Sequence, residues 1–322
     1  MGNAQPRVQD KSMRYSLLSR FRGTLLGARL GEIYGYGDKE RASVSLSPVK
    51  LNIEPGESVG LNAHICPWSQ IAVMCAQSLI REGRIDLEVQ SGLASKIKAA
   101  NCSQVAIATL PVALFFHENQ ATLQQQLRLA SATWQGAAST EPALAVGYAL
   151  AQALTEKLNP ATLIPQTLTY LQDSQTPLVQ HLAQVQTLLE QGASLEIALT
   201  HLLRDRQLST NPIALAFYCF LSTPEDFRLS VTRAIRTGYQ PQITAALTGA
   251  LSGVYNSFTG IPLGWRIAFN RTDNGEILQL AACLLAAWSG VYDATTADRT
   301  DQMAVAAPRV IKPRQVDFRS PG

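Results

Sequence analysis

Residues 21–35 read Phe21-Arg22-Gly23-Thr24-Leu25-Leu26-Gly27-Ala28-Arg29-Leu30-Gly31-Glu32-Ile33-Tyr34-Gly35. Glycine recurs every fourth residue, at 23, 27, 31 and 35, so on an α-helix all four share one face. Each costs about 1 kcal/mol against alanine in a helix interior. A helix that carries several is expected to gain from close backbone approach by its neighbours, which makes it central and buried. The same spacing serves membrane helix dimers, but Arg22, Arg29 and Glu32 argue against a bilayer setting.

Helical signals continue on the C-terminal side. Ile243, Ala246, Leu247, Ala250, Leu251 and Val254 repeat at i, i+3, i+4, i+7, i+8 and i+11, an amphipathic helix. Thr223-Pro224-Glu225-Asp226 combines a cap, a first-turn proline and two acids at the positive end of a helix dipole. Thr140-Glu141-Pro142, Asn159-Pro160 and Asn211-Pro212 read as similar starts, and Gly192 followed by Ser194 as a stop and a new start. Asp273-Asn274-Gly275 reads as a turn before the last long helix. About a dozen helices are expected. Arg41–Gly60 departs from the pattern: apolar residues alternate loosely around Pro48 and Pro55, which predicts a long loop with room for one short strand.

Composition narrows the function classes. Charged residues make up 16% of the chain, below the usual quarter, which leaves surface free for a protein interface. A net charge of +3 without a basic block interleaved with aromatics argues against nucleic acid as a partner. No apolar run is long enough for a membrane span, and Met1–Lys11 lacks the apolar core of a signal peptide. The five cysteines are odd in number and form no CxxC, which points to reduced thiols and a cytoplasmic protein. His64 and Cys66 supply only two ligands, too few for zinc. His117, His181 and His201 have no acidic or serine companions at catalytic spacing.

The glycine pattern after Arg22, closing with Gly31-Glu32-Ile33-Tyr34-Gly35, resembles the opening helix of the ADP-ribosylglycohydrolase family. That family includes the hydrolase that removes ADP-ribose from dinitrogenase reductase, and it usually carries Asp where Glu32 stands. Three more blocks follow in family order. Ser69–Leu79 resembles the helix after the Thr-Asp-Asp-Thr motif. Phe220–Gly238 resembles the approach to the Gly-Gly-Asp-Thr-Asp-Thr loop. Ala245–Gly253, with Ile261-Pro262 and Trp265, resembles the helix and turn beyond it. The resemblance spans residue 14 to about residue 290. It implies an all-α, single-domain orthogonal helical bundle over residues 13–292. Residues 1–12 and 293–322 lack apolar periodicity, and the tail carries prolines and scattered basic residues, which predicts a flexible N-terminus and an extended C-terminal tail.

Members of that family are hydrolases that hold two divalent cations, usually magnesium, in a central cleft. On this sequence the first acidic motif falls on Cys66-Pro67-Trp68-Ser69. The second falls on Gly238-Tyr239-Gln240-Pro241-Gln242-Ile243, with Gln240 and Gln242 at the aspartate positions. Hard dications need several anionic oxygens, so the resemblance implies that the magnesium pair is lost and that no cofactor is held. The family's catalytic glutamate falls near Lys39, between Asp38 and Glu40, and its mid-chain arginine on Ala108, three residues before Pro111.

Two functions remain. One is a catalytically inactive binding, scaffold or regulatory module. Its old pocket, lined by Trp68, Ser69, Gln70, Tyr239, Gln240 and Gln242 with Tyr36, either holds a nucleotide or ADP-ribose-like ligand or is packed shut. In the second case the outer surface or the tail, with Val310, Ile311 and Phe318 as apolar anchors, meets a protein partner. The other function is a metal-independent hydrolase of ADP-ribosylated protein or a related N-glycosidic substrate, with Glu32, Asp38 or Glu40 as its acid.

Overall fold

A computed structural model describes residues 15–41, 67–86, 101–132, 140–171, 176–205, 208–273 and 275–291. All regular structure within them is helical. The first helices are α1 (Leu17–Arg41), α2 (Pro67–Glu82), α3 (Cys102–Ala108), α4 (Leu110–Phe115), α5 (Gln120–Ala132), α6 (Glu141–Leu154) and α7 (Leu163–Tyr170). They are followed by α8 (Pro177–Glu190), α9 (Leu195–Leu202), α10 (Asn211–Leu221), α11 (Phe227–Arg236), α12 (Pro241–Gly260), α13 (Leu263–Asp273) and α14 (Glu276–Trp288). No described helix is long and apolar enough to cross a membrane.

The glycine face of α1 lies along α12, and the two helices run antiparallel. Gly23 meets the carbonyl of Gly253, Gly27 that of Gly249, Gly31 that of Ala245, and Gly35 the backbone of Pro241 and Gln242. A Cβ on any of the four would enter that backbone, and the contact is reciprocal at Gly249 and Gly253. Two helices with small residues every fourth position therefore mesh along nearly the whole of α1. Dispersion between closely packed backbones offsets the propensity cost of the glycines.

Around this pair the bundle closes. α11 and α10 pack on α12, α14 on α1 and α2, and α3 and α4 between α2 and α6. One contiguous apolar core runs through all of them, from Phe21 and Leu26 on α1 to Phe217 and Phe220 on α10 and Leu247 and Leu251 on α12. Such continuity is the mark of a single domain.

Most starts agree with the sequence. α6 and α10 open on Glu141-Pro142 and Asn211-Pro212, Gly192 adopts φ +61° after α8, and the Ser194 side chain caps α9. Two starts differ. α11 begins at Phe227, because the Asp226 carboxylate accepts from the Leu229 N–H at 2.8 Å, while Thr223–Glu225 form a turn ahead of it. Asn159 caps a short turn, and α7 begins only at Leu163. α1 continues through Arg41, so the loop expected from that residue begins no earlier than 42. The rest of that loop, the chain ends and the boundaries expected near 12 and 293 lie outside the described residues.

Candidate functional site

Glu32 lies one position past Gly31 on α1 and is 3% exposed. Its Oε2 accepts from Arg29 Nη1 at 2.7 Å, an i,i+3 ion pair along the helix. The same oxygen accepts from Ser69 Oγ at 2.5 Å, which ties α1 to the first turn of α2. The i,i+3 spacing makes Arg29 and Glu32 neighbours along the helix. The Ser69 contact depends on how α2 docks and has no local signature.

The remaining sequence-predicted site residues are dispersed. Trp68 is 3% exposed and belongs to the apolar core, so its side chain faces inward. Gln70, two residues on, is exposed. Asp38 and Glu40 fall in the last turns of α1, where the backbone alone is described. Tyr36 is half-buried one turn beyond Glu32.

Gln240 is the N-cap residue of α12, with left-handed backbone at φ 40°, ψ 54°, after Gly238 at φ +63°. Pro241 disfavours right-handed α backbone at Gln240, although the usual outcome before proline is extended backbone, not this left-handed one. The Gln240 carbonyl accepts from the N–H groups of Ile243 and Thr244. Gln242, in the first turn of α12, has its Cα against Gly35. The hydroxyl of Tyr239 lies 3.5 Å from Asn211 Nδ2, and its carbonyl accepts from Thr244 Oγ1 at 2.9 Å. Ala108 is buried at the end of α3.

A cleft of about 740 Å3 opens where α1, α2, α3, α4 and α14 meet. Of the expected pocket residues, Ser69 and Gln70 line it; Trp68, Tyr239, Gln240 and Gln242 are not among its described lining. Its floor is apolar, with Leu25 and Ala28 of α1 and Ile107, Leu110 and Pro111 below. Among the described residues, its charged lining is Arg29, Arg81 and Glu276. Sequence reasoning missed Arg81, Glu276 and the whole α14 wall, because the cleft forms from elements distant in the chain.

The donors beside Glu32 fit a pair of dications poorly. Its carboxylate is bridged by a guanidinium, whose charge opposes a cation at the same oxygen, and Ser69 turns its hydroxyl proton toward that carboxylate. Gln240 and Gln242, where the resemblance puts the second acidic motif, offer only neutral amide oxygens. Among the described residues no three His, Cys, Asp or Glu side chains converge on one point.

The family model for ADP-ribosylglycohydrolase matches residues 87–294, more than half of the chain. A solved structure described as an ADP-ribosylglycohydrolase-related protein complex superposes with a TM-score of 0.56 at 18% identity, covering 84% of this chain and 98% of its own. That likeness establishes the fold. No curated protein matches the sequence.

Proposed function

The chain belongs to the ADP-ribosylglycohydrolase family, and we propose that it is a member without magnesium-dependent hydrolase activity, acting as a binding or regulatory module. The observation that carries this reading is the Arg29–Glu32–Ser69 bridge. A buried carboxylate held at 2.7 Å by a guanidinium is already neutralised, so it offers a divalent cation little further attraction. Gln240 and Gln242, at the positions the resemblance assigns to aspartates, are uncharged and add no anionic oxygen. The related fold has been solved in a complex, which agrees with a role in binding a protein partner through the outer surface or the segment 293–322. A nucleotide or ADP-ribose-like ligand is the alternative occupant. The low charge and unpaired cysteine pattern support a cytoplasmic setting.

A metal-independent hydrolase is the second reading, favoured by one contact. Ser69 and Glu32 form a hydroxyl–carboxylate pair of the kind that can orient or activate water. The two readings separate in one assay of ADP-ribose release from ADP-ribosyl-arginine, run with magnesium and again in EDTA. The proposal expects no turnover in either. Turnover only with magnesium overturns it, and turnover in EDTA that Glu32→Gln abolishes establishes the second reading instead.

A further inference from the structure

α12 breaks before it ends. Ser257 is fully buried at φ 61°, ψ −179°, and beyond it the chain rises to the surface at Thr259 and Gly260. The chain ahead of the break is fixed to the bundle. Arg20 Nη1 donates to the Val254 carbonyl at 3.2 Å, and Asn256 Nδ2 donates to the Pro224 carbonyl at 2.8 Å. Gly23 lets the Ser257–Phe258 backbone pass, since a Cβ there would enter it. Attachment beyond the break is sparser. Ile261, Trp265 and Phe269 are buried at i, i+4 and i+8, a single stripe. Trp265 lies against Tyr34 of α1 (ring centroids 4.4 Å) and Phe227 of α11 (6.1 Å). The opposite face of α13 is open: Leu263 is 63% exposed and Ile267 47%. Among the described residues no helix runs along α13 as α1 runs along α12.

We propose that residues 258–273 form a hinged strap that swings as one body between joints at Ser257 and Gly275, covering Tyr34 and Phe227 when docked and uncovering them when released. The segment coheres internally. The Pro262 carbonyl accepts from the N–H groups of Trp265 and Arg266, and the Arg266 guanidinium sits 4.7 Å over the Phe258 ring. Gly275, at φ +79°, supplies the second joint as the N-cap residue of α14. A serine in backbone that glycine favours is a cost that persists only while its surroundings impose it. The clamps before Ser257 belong to the bundle, and the stripe after it holds the chain down. Release of the stripe therefore lets Ser257 relax, so the docked strap carries strain that the released one sheds. Hinges are commonly a few residues at element ends that absorb such a change. This moving part does not depend on whether the chain is catalytic.

Native-state hydrogen exchange of the full chain, followed by mass spectrometry across sub-denaturing urea, tests the strap. Amides of 263–273 are expected to share one opening, less protected and less dependent on urea than amides of 244–254 in α12, which open only with the whole fold. Ser257→Gly removes the strain of the docked state and should slow the strap amides about fivefold. Trp265→Phe keeps the stripe but thins its contact with Tyr34, and should speed the same amides together by about tenfold. Exchange of 263–273 on the urea dependence of α12 overturns the inference. So does protection that falls away progressively from one end of the segment, or strap exchange that Ser257→Gly leaves unchanged or speeds, or that Trp265→Phe leaves unchanged.

Discussion

Ser69 Oγ and Glu32 Oε2 stand 2.5 Å apart, and the same carboxylate oxygen receives Arg29 Nη1 at 2.7 Å. One buried acid thus fastens α1 to α2 beside the cleft. Its side chain is 4% exposed and that of Arg29 14%. Removing the acid leaves a largely buried guanidinium without its carboxylate. Glu32→Ala is therefore expected to lower the unfolding free energy by about 3 kcal/mol. Ser69→Ala, which removes one hydrogen bond and leaves the ion pair, should cost about 1 kcal/mol. Urea denaturation of the two variants checks the order, and equal losses would contradict it.

The α1–α12 seam makes a sharper claim. Gly27→Ala and Gly249→Ala each drive a methyl into backbone that has no side chain to swing away. Each is expected to cost well over 3 kcal/mol or to abolish soluble folded protein. Gly264 sits near the start of α13, where an added methyl would meet nothing within 4 Å. Gly264→Ala should stabilise by about 0.5–1 kcal/mol through helix propensity alone. Thermal melts of the three proteins measure the contrast.

Backbone strain is concentrated at Ser257, which is fully buried and interrupts α12 with φ 61°, ψ −179°. That region is populated almost only by glycine, and it costs other residues on the order of 1–3 kcal/mol. Ser257→Gly is expected to stabilise by about 1 kcal/mol net of the lost Oγ contact with Thr259. An unchanged or lower melting temperature would show that the kink relaxes in solution.

Acid should destabilise the fold before the carboxylates titrate. His117 is buried against Phe21 and Trp288, and burial pulls its pKa from 6.5 down to about 4. The folded protein keeps this imidazole neutral while the unfolded chain binds a proton. Its contribution is therefore complete above pH 6.5 and is lost as the pH falls toward about 4. The slope from one such proton is at most about 1.4 kcal/mol per pH unit. Burial lowers His181 as well, against the opposing pull of Asp205, and adds to the same window. His117→Gln should flatten the dependence of unfolding free energy on pH between these limits.

The sequence announced the seam because tight backbone packing forbids a Cβ, and glycine is the residue that says so. The Arg29–Glu32 pair follows from helix geometry, since residues three apart on a helix are neighbours. The sequence was silent on the Ser69 contact and on the α2–α14 cleft, which arise from long-range packing with no local code. The left-handed turn at Gln240 had no local signal, since a following proline favours extended backbone and glutamine carries no preference for positive φ. Trp68 read as a pocket residue from its place in the motif, whereas its packing puts it in the core.

The proposed function stands or falls on whether the chain still holds a pair of divalent cations between α1 and the start of α12. Anomalous diffraction from crystals of the full chain soaked in manganese and ADP-ribose addresses this at the atoms concerned. No ordered manganese is expected beside Glu32, Ser69 or Gln240. Two manganese peaks about 3.5–4 Å apart at that position, ligated by these residues, would contradict the non-catalytic reading.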